Sequence, residues 1–174
     1  MKYHFVPMNQ VYAETIVEQW KYGGEYTIHD YANEADHVLD SASWGKGLFA
    51  VLNQDGELIG ELTTEFFDEQ DEYIEYDNLN DETLNAAEMW IGFGLKPELT
   101  GRGLGLGFIS ACIEFAVEKR NYKGEYVRLG VPAFNQRAIK VYERVGFRVF
   151  NRTVGEVNGK TFEAIQMKKP LRRE

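Results

Sequence analysis

The stretch Leu99-Thr100-Gly101-Arg102-Gly103-Leu104-Gly105-Leu106-Gly107 restricts what this chain can fold into more than any other. It follows Met89 to Leu95, a short charge-free run of apolar residues and glycines that stops at Lys96-Pro97. It precedes Leu104 to Arg120, where Phe108, Ile109, Cys112, Ile113, Phe115, Ala116 and Val117 make a broad apolar face at helical spacing. The first run reads as a buried strand closed by proline, and the second as a long helix ending in Lys119-Arg120. A strand, a glycine turn and a helix start, in that order, leave backbone N–H groups with no intrahelical partner. Glycine lets an anion approach those donors, the helix dipole adds about half a positive charge, and Arg102 adds a formal one. The junction therefore suits a phosphate ligand; a glycine-rich turn without a ligand is the alternative.

Spacing narrows the choice of phosphate. A dinucleotide loop needs G-x-G-x-x-G, but the residues five beyond Gly101 and Gly103 are Leu106 and Phe108. A nucleoside-triphosphate loop needs Gly-Lys-Ser/Thr, which does not occur.

Elsewhere, strands come both as hairpins and separated by helices. A short run around Phe5 and Val6 precedes a helix from Asn9 to Trp20. Trp44 to Asn53 and Glu57 to Phe67 flank the turn pair Asp55-Gly56, and Phe147 to Thr153 and Lys160 to Lys168 flank Asn158-Gly159. Asp68 to Glu88 holds nine acidic residues and no basic one, and fits an acidic loop or a short inserted helix. Tyr126 to Val131 reads as a strand; Asn135 is placed to cap a helix that runs to Arg144 and ends at Gly146. The expected fold class is α/β, with a mixed, largely antiparallel twisted sheet of six to seven strands and about four helices. At 174 residues the chain is expected to form one domain spanning 1–174.

Charge is unevenly distributed. Residues 47–95 hold thirteen Asp/Glu and no Lys/Arg, whereas residues 96–174 hold sixteen Lys/Arg against eight Asp/Glu. An anionic ligand on the C-terminal side and a cationic one nearer the middle would suit this polarity, as would ordinary solvated surface charge. The acidic middle, with Phe66, Phe67, Tyr73 and Tyr76, is a candidate acceptor side. It would repel a nucleic-acid backbone, and the C-terminal basic residues are scattered. One cysteine, Cys112, and three histidines provide neither an internal disulfide nor a spaced metal set. No apolar run is long enough to span a bilayer and the N-terminus has no signal-like core, so a reducing cytoplasm is the expected location.

The run Leu95-Lys96-Pro97-Glu98-Leu99-Thr100-Gly101-Arg102-Gly103-Leu104-Gly105 resembles the acyl-CoA loop, [QR]-x-x-G-x-[GA], of the GNAT superfamily of N-acetyltransferases. In the register fixed by Lys96-Pro97, Thr100 replaces the usual Gln or Arg, while Gly103 and Gly105 match. The register Arg102, Gly105, Gly107 also fits, two residues further from the strand. A second block, Asn135 to Phe147, is similar to the family's N-x-x-A-x-x-x-Y-x-x-x-G-F. Together the blocks cover about residues 89–150, and the implied fold is a sheet splayed at the strand before the loop. Asn135, Ala138 and Tyr142 share a helix face, with Asn135 and Tyr142 about 10 Å apart along the axis, so they can follow one extended ligand.

The resemblance implies acetyl transfer from acetyl-CoA to an amine, with no metal. Phe93, Leu95, Thr100, Gly101, Arg102, Gly103, Leu104, Gly105, Asn135, Ala138 and Tyr142 would hold the donor. The backbone N–H of Leu95 would bind the thioester oxyanion. Tyr142, protonated at pH 7, would give a proton to the leaving sulfur. For the base, Glu88 is the first choice because it enters the strand beside Met89 and Trp90; Glu61 and Glu65 compete with it. Gly92 and Gly94 fit a bulge or a close ligand approach. The acceptor is an unidentified amine, and a homodimer is left open. The alternative reading is a CoA-binding sensor or interaction module without turnover.

Overall fold

A computed structural model describes residues 1–171. Its strands are β1 (His4–Pro7), β2 (Leu48–Leu52), β3 (Leu58–Phe67), β4 (Glu88–Leu95), β5 (Tyr126–Pro132), β6 (Arg148–Val157) and β7 (Lys160–Pro170). The helices are α1 (Gln10–Gln19), α2 (Ala35–Val38), α3 (Asp81–Asn85), α4 (Gly105–Arg120) and α5 (Gln136–Val145). The seven strands form one open sheet in the order β1-β2-β3-β4-β5-β7-β6, antiparallel except for β4–β5. The mixed, mostly antiparallel α/β fold read from the sequence is the one observed.

Turn chemistry sets the hairpins. Asn158 (φ 51) and Gly159 (φ 77) both take the left-handed conformation that a tight two-residue hairpin requires. Between β2 and β3 only Gly56 does so (φ 80), and the Asn53 side chain organises the rest by accepting from the N–H groups of Asp55 and Glu57, both at 3.0 Å. α4 begins at Gly105 and stops where Asn121 turns left-handed (φ 50). α5 is capped by the Asn135 side chain, which accepts from the Ala138 N–H, and ends at Gly146 (φ 119). Residues 20–43, which carry no clear periodicity, fold as short 3-10 turns, Gly24–His29 and Tyr31–Glu34, followed by the single turn of α2.

The sheet has helices on both faces. On one, α4 buries Phe108, Ile109, Cys112, Ile113 and Ala116 against Leu62, Phe66, Met89, Val127 and Leu129, and α5 joins them through Ile139. Each such large apolar side chain contributes roughly 1.5–3 kcal/mol relative to exposure. On the other face, Ala13, Ile16 and Trp20 of α1 and its C-terminal cap pack with Val38, Leu48 and Ala50. Leu48 and Ala50 alternate with Phe49 and Val51 between the two clusters, as strand geometry demands. No helix among the described residues is long and apolar enough to cross a membrane.

The parallel β4–β5 ladder consists of two partnered positions, Met89 with Val127 and Trp90 with Arg128. At its start the Tyr122 hydroxyl accepts from the Met89 N–H (3.2 Å) and donates to the Tyr126 carbonyl (2.8 Å), bridging the two strands. Of the two readings that Gly92 and Gly94 fit, a bulge is not what frees β4: its register with β3 runs without a shift from Glu88 to Leu95. Removing the bridge in Tyr122→Phe leaves a buried N–H without that partner. This variant is expected to lose about 1–3 kcal/mol, read as a lower urea midpoint at unchanged slope.

Candidate active site

Beyond Trp90 and Arg128 the strands diverge, and a cleft of about 1360 Å³ opens between them. Register determines what β4 presents there. Lys96 donates to the Ile59 carbonyl at 2.8 Å, so the next opposed pair, Gly60 and Leu95, is a non-hydrogen-bonded one. Leu95 and, two residues back, Phe93 therefore turn their N–H and C=O away from β3 and toward the cleft. The Leu95 carbonyl meets the Tyr22 hydroxyl there, at 2.7 Å. Burial, then the nearby Glu61, raises the Tyr22 phenol above its usual pKa, which keeps it a donor.

The glycine loop closes one end of the cleft. Gly101 (φ 72) and Gly103 (φ 77) are left-handed, and a Cβ on Gly105 would press on Val141 of α5 at 3.1 Å. The first bond across the helix start runs from the Phe108 N–H to the Leu104 carbonyl (3.1 Å), which leaves the N–H groups of Gly105, Leu106 and Gly107 without intrahelical partners. Thr100, Gly101, Gly103, Leu104 and Gly105 line the cleft. The Thr100 hydroxyl is taken up by the Pro97 carbonyl at 2.7 Å. Arg102 is exposed and lies outside the lining. The cation beside the loop is instead Arg137, stacked 4.6 Å from the Tyr26 ring centroid. The sequence reading did not single it out; Lys140 and Arg144, one and two turns on, also line the cleft.

α5 brings Asn135, Ala138 and Tyr142 to the same wall. Asn135 is committed on both sides: its Oδ1 caps the helix, and its Nδ2 lies 3.1 Å from His29 Nε2. Burial chiefly, with Arg137, lowers the His29 pKa while Asp30 opposes, so a neutral ring accepting from Asn135 fits the pair. Tyr142 packs on Phe93 (ring centroids 6.0 Å) and Phe147 (5.9 Å). Burial, with a smaller contribution from Cys112, pushes its phenol up to about 12.

The opposite face of the sheet contributes a carboxylate. Glu61, 5% exposed, projects from β3 beside Gly94 of β4. Its Oε1 accepts from the Tyr31 hydroxyl (2.8 Å) and its Oε2 from Thr63 (3.0 Å). Burial dominates and lifts the carboxyl to about 7; the two hydrogen bonds pull it down, and Glu34 adds a smaller lift. A Cβ on Gly94 would overlap the Tyr31 hydroxyl, so this glycine makes room for the tyrosine that holds Glu61.

Glu88, the first choice for a base, is elsewhere. It sits at the start of β4, six residues from Gly94 or about 20 Å along a strand, bonded to Arg128 at 2.7 Å and outside the cleft lining. The acidic stretch after Phe67 does not line the cleft either; Phe66 is core, and Asp77 pairs with Lys46. Among the described residues, the carboxylates that do line it are Glu34, Asp36, Glu61 and Glu65, and the Lys/Arg residues are Arg137, Lys140 and Arg144 of α5. The acidic groups thus come from α2, the turn before it and β3, and the basic ones from α5.

No curated protein sequence matches the chain. Among solved structures, Arabidopsis thaliana NAA60 in complex with acetyl-CoA superposes with a TM-score of 0.65 at 19% identity, covering 98% of this chain and 99% of the other. A spermidine N-acetyltransferase SpeG chimera from Vibrio cholerae and hSSAT gives 0.65 at 19% identity, over 98% and 96%. The spermidine/spermine N-acetyltransferase SpeG from Vibrio cholerae in complex with manganese ions gives 0.62 at 19% identity, over 97% and 92%. At such identities the likeness concerns the fold. The model of the acetyltransferase (GNAT) family matches residues 11–147, most of the chain, and with the splayed sheet and glycine loop in place the protein belongs to the GNAT acetyltransferase family.

Proposed function

We propose that the chain acts as a single-domain acetyltransferase that moves an acetyl group from acetyl-CoA to a primary amine of a cationic acceptor. The observation that carries this reading is the meeting, in one cleft, of a free β4 backbone edge, a buried tyrosine and a buried carboxylate from opposite faces of the sheet. The donor half fits the group by its own chemistry. Unpaired N–H groups at the α4 start, left-handed Gly101 and Gly103, and Arg137 suit phosphates. The outward edge of Phe93 and Leu95 suits the amides of a pantetheine arm. The acetyl-CoA complex of NAA60 is consistent with this assignment.

Acetyl-CoA supplies an activated thioester. The Leu95 N–H is placed to stabilise the carbonyl oxygen as charge gathers on it. Tyr142, kept protonated by burial, donates to the sulfur as the C–S bond breaks. The reacting nitrogen attacks as the neutral amine, its ammonium proton having passed to water, and Glu61 takes the second proton, which the nitrogen releases as the C–N bond forms. In this role it replaces Glu88, which Arg128 engages. The carboxylate wall favours a cationic acceptor, in keeping with the spermidine acetyltransferases among the structural neighbours.

Calorimetric titration with acetyl-CoA tests the donor site. Gly103 has open space around it but a φ of 77, so Gly103→Asp introduces a carboxylate without a clash and with left-handed strain. Gly103→Asn, which carries the same strain without the charge, is the control and should bind more tightly than it. Gly103→Asp should bind at least tenfold more weakly than wild type; equal binding would remove the loop from the site. Binding by wild type with no turnover on any amine would instead indicate a sensor.

Tyr142→Phe should lower kcat by about 10²-fold while leaving acetyl-CoA affinity within twofold, since only proton donation is removed. A loss in KM alone would assign the tyrosine to packing.

Glu61 makes two pH predictions. As a base it must be deprotonated, so kcat should rise with pH to a plateau, with an inflection near 7; Glu61→Gln should lose that inflection and about 10²-fold in kcat. Because the folded pKa is raised from 4.5 to about 7, the fold favours the neutral acid. Its stability should therefore fall as pH rises across that window and level off above it. Glu61→Gln should abolish this fall, and urea midpoints at pH 5 and pH 8 would show it.

A further inference from the structure

We propose that the acceptor is a slim, elongated diamine or polyamine whose second cationic nitrogen seats at Glu65 while its reacting nitrogen meets Glu61. This rests on the acetyltransferase reading of the cleft and adds the shape and charge of its acceptor. Strand alternation puts Glu61, Thr63 and Glu65 on one face of β3, and their partners Gly94, Gly92 and Trp90 on the same face of β4. The result is a straight floor with a carboxylate at each end, about 13 Å apart between Cα atoms. The floor is low between them. A Cβ on Gly92 would meet only Thr63, at 3.7 Å, and Gly130 across the gap on β5 has open space.

The walls define the cross-section. The Asn158 side chain at the β6–β7 turn donates to Asn33 Oδ1 at 2.8 Å, tying that hairpin to the segment carrying Tyr26, His29 and Tyr31. Both walls line the cleft, and the link joins them across its acceptor side. The lining residues from β6 and β7, including Thr153, Val157, Phe162 and Gln166, carry no charge. α2 and the turn before it add Glu34, Asp36 and His37.

The far end remains attractive to a cation. Arg128 and Lys168 lie nearby, but Arg128 is bonded to Glu88 at 2.7 Å and stacked 5.0 Å from the Phe150 centroid. Lys168 rests over Tyr126 and Phe150, at 4.5 and 5.5 Å. Neither lines the cleft, whereas half-buried Glu65 does, with Trp90 opposite it across the strands.

The test compares kcat/KM for octamethylenediamine, ethylenediamine and n-octylamine with wild type, Glu65→Gln and Glu65→Asp, after acetyl-CoA binding has been checked by calorimetry in each. The long diamine should exceed both the short diamine and the equally long monoamine by at least tenfold in wild type. Glu65→Gln should reduce the long-diamine-to-monoamine ratio to near one, and Glu65→Asp, which keeps the charge, should retain most of it. Equal wild-type rates for the long diamine and the monoamine would overturn the inference and leave the acetyltransferase reading standing. So would a preference that Glu65→Gln does not change. Acetyl-CoA binding with no amine acetylated by wild type would overturn both.

Discussion

The short parallel contact between β4 and β5 is the constraint on which the rest depends. Buried backbone groups must find partners, and a sheet ordinarily supplies them along the whole of each strand. Here the ladder lasts for Met89 and Trp90, is bridged at its start by the Tyr122 hydroxyl, and then opens. β4 keeps its full register with β3, so past the opening Phe93 and Leu95 turn their N–H and C=O toward the cleft. The Leu95 carbonyl is met there by the Tyr22 hydroxyl. An edge strand inside a sheet would invite misplaced pairing if exposed; enclosed in a cleft, it becomes a template for an extended ligand with amides of its own.

That opening also explains why the charge of the chain divides where it does. β1 to β4 form one side of the split, and β5 to β7 the other. Residues before the split supply the acidic wall, through Glu34, Asp36, Glu61 and Glu65; residues after it supply α4, with its positive N-terminal end, and the α5 cations. In the proposed reaction an anionic and a cationic reactant would each find groups of opposite sign on their own side of the split.

Elements governed by local chemistry were readable from sequence. Phe108 to Val117 announced α4, Asn135 and Gly146 bounded α5, and Asn158-Gly159 fixed the last hairpin, because caps and left-handed turns depend on the residues that form them. The GNAT-like blocks were readable for the same reason, since loop and helix are contiguous. The proposed base was harder. Glu88 is near the loop in sequence, but an extended strand advances about 3.3 Å per residue, which carries it out of reach. Glu61 is far off in sequence and adjacent in space only because β3 pairs with β4 in this register. Its signal, the alternation Glu61-x-Thr63-x-Glu65 among apolar residues, identifies a strand but not the face that meets the cleft. Tyr22 and Tyr31 lie in a segment of short turns with no period to read, and Gly94 resembled a bulge because the tyrosine it accommodates comes from 63 residues earlier.

In the proposed reaction that segment would join acceptor recognition to proton transfer. Tyr31 reaches Glu61 and Tyr22 reaches Leu95, so the wall that an acceptor touches also orients the proposed base and the strand edge that bears the proposed oxyanion donor. The balance at Glu61 shows why burial is useful there. An alkylammonium has a pKa near 10.4 and an ordinary carboxylate one near 4.3, so prior proton transfer would cost roughly 8 kcal/mol. Raising the acceptor to about 7 reduces that cost to about 4–5 kcal/mol. That first deprotonation, with its proton passed to water, has to precede attack, because an ammonium nitrogen has no lone pair to give. A second proton leaves easily as the C–N bond forms, because the nitrogen becomes far more acidic once it bonds to the carbonyl carbon. A base near 7 is therefore strong enough to act with the attack and weak enough to release its proton to water afterwards.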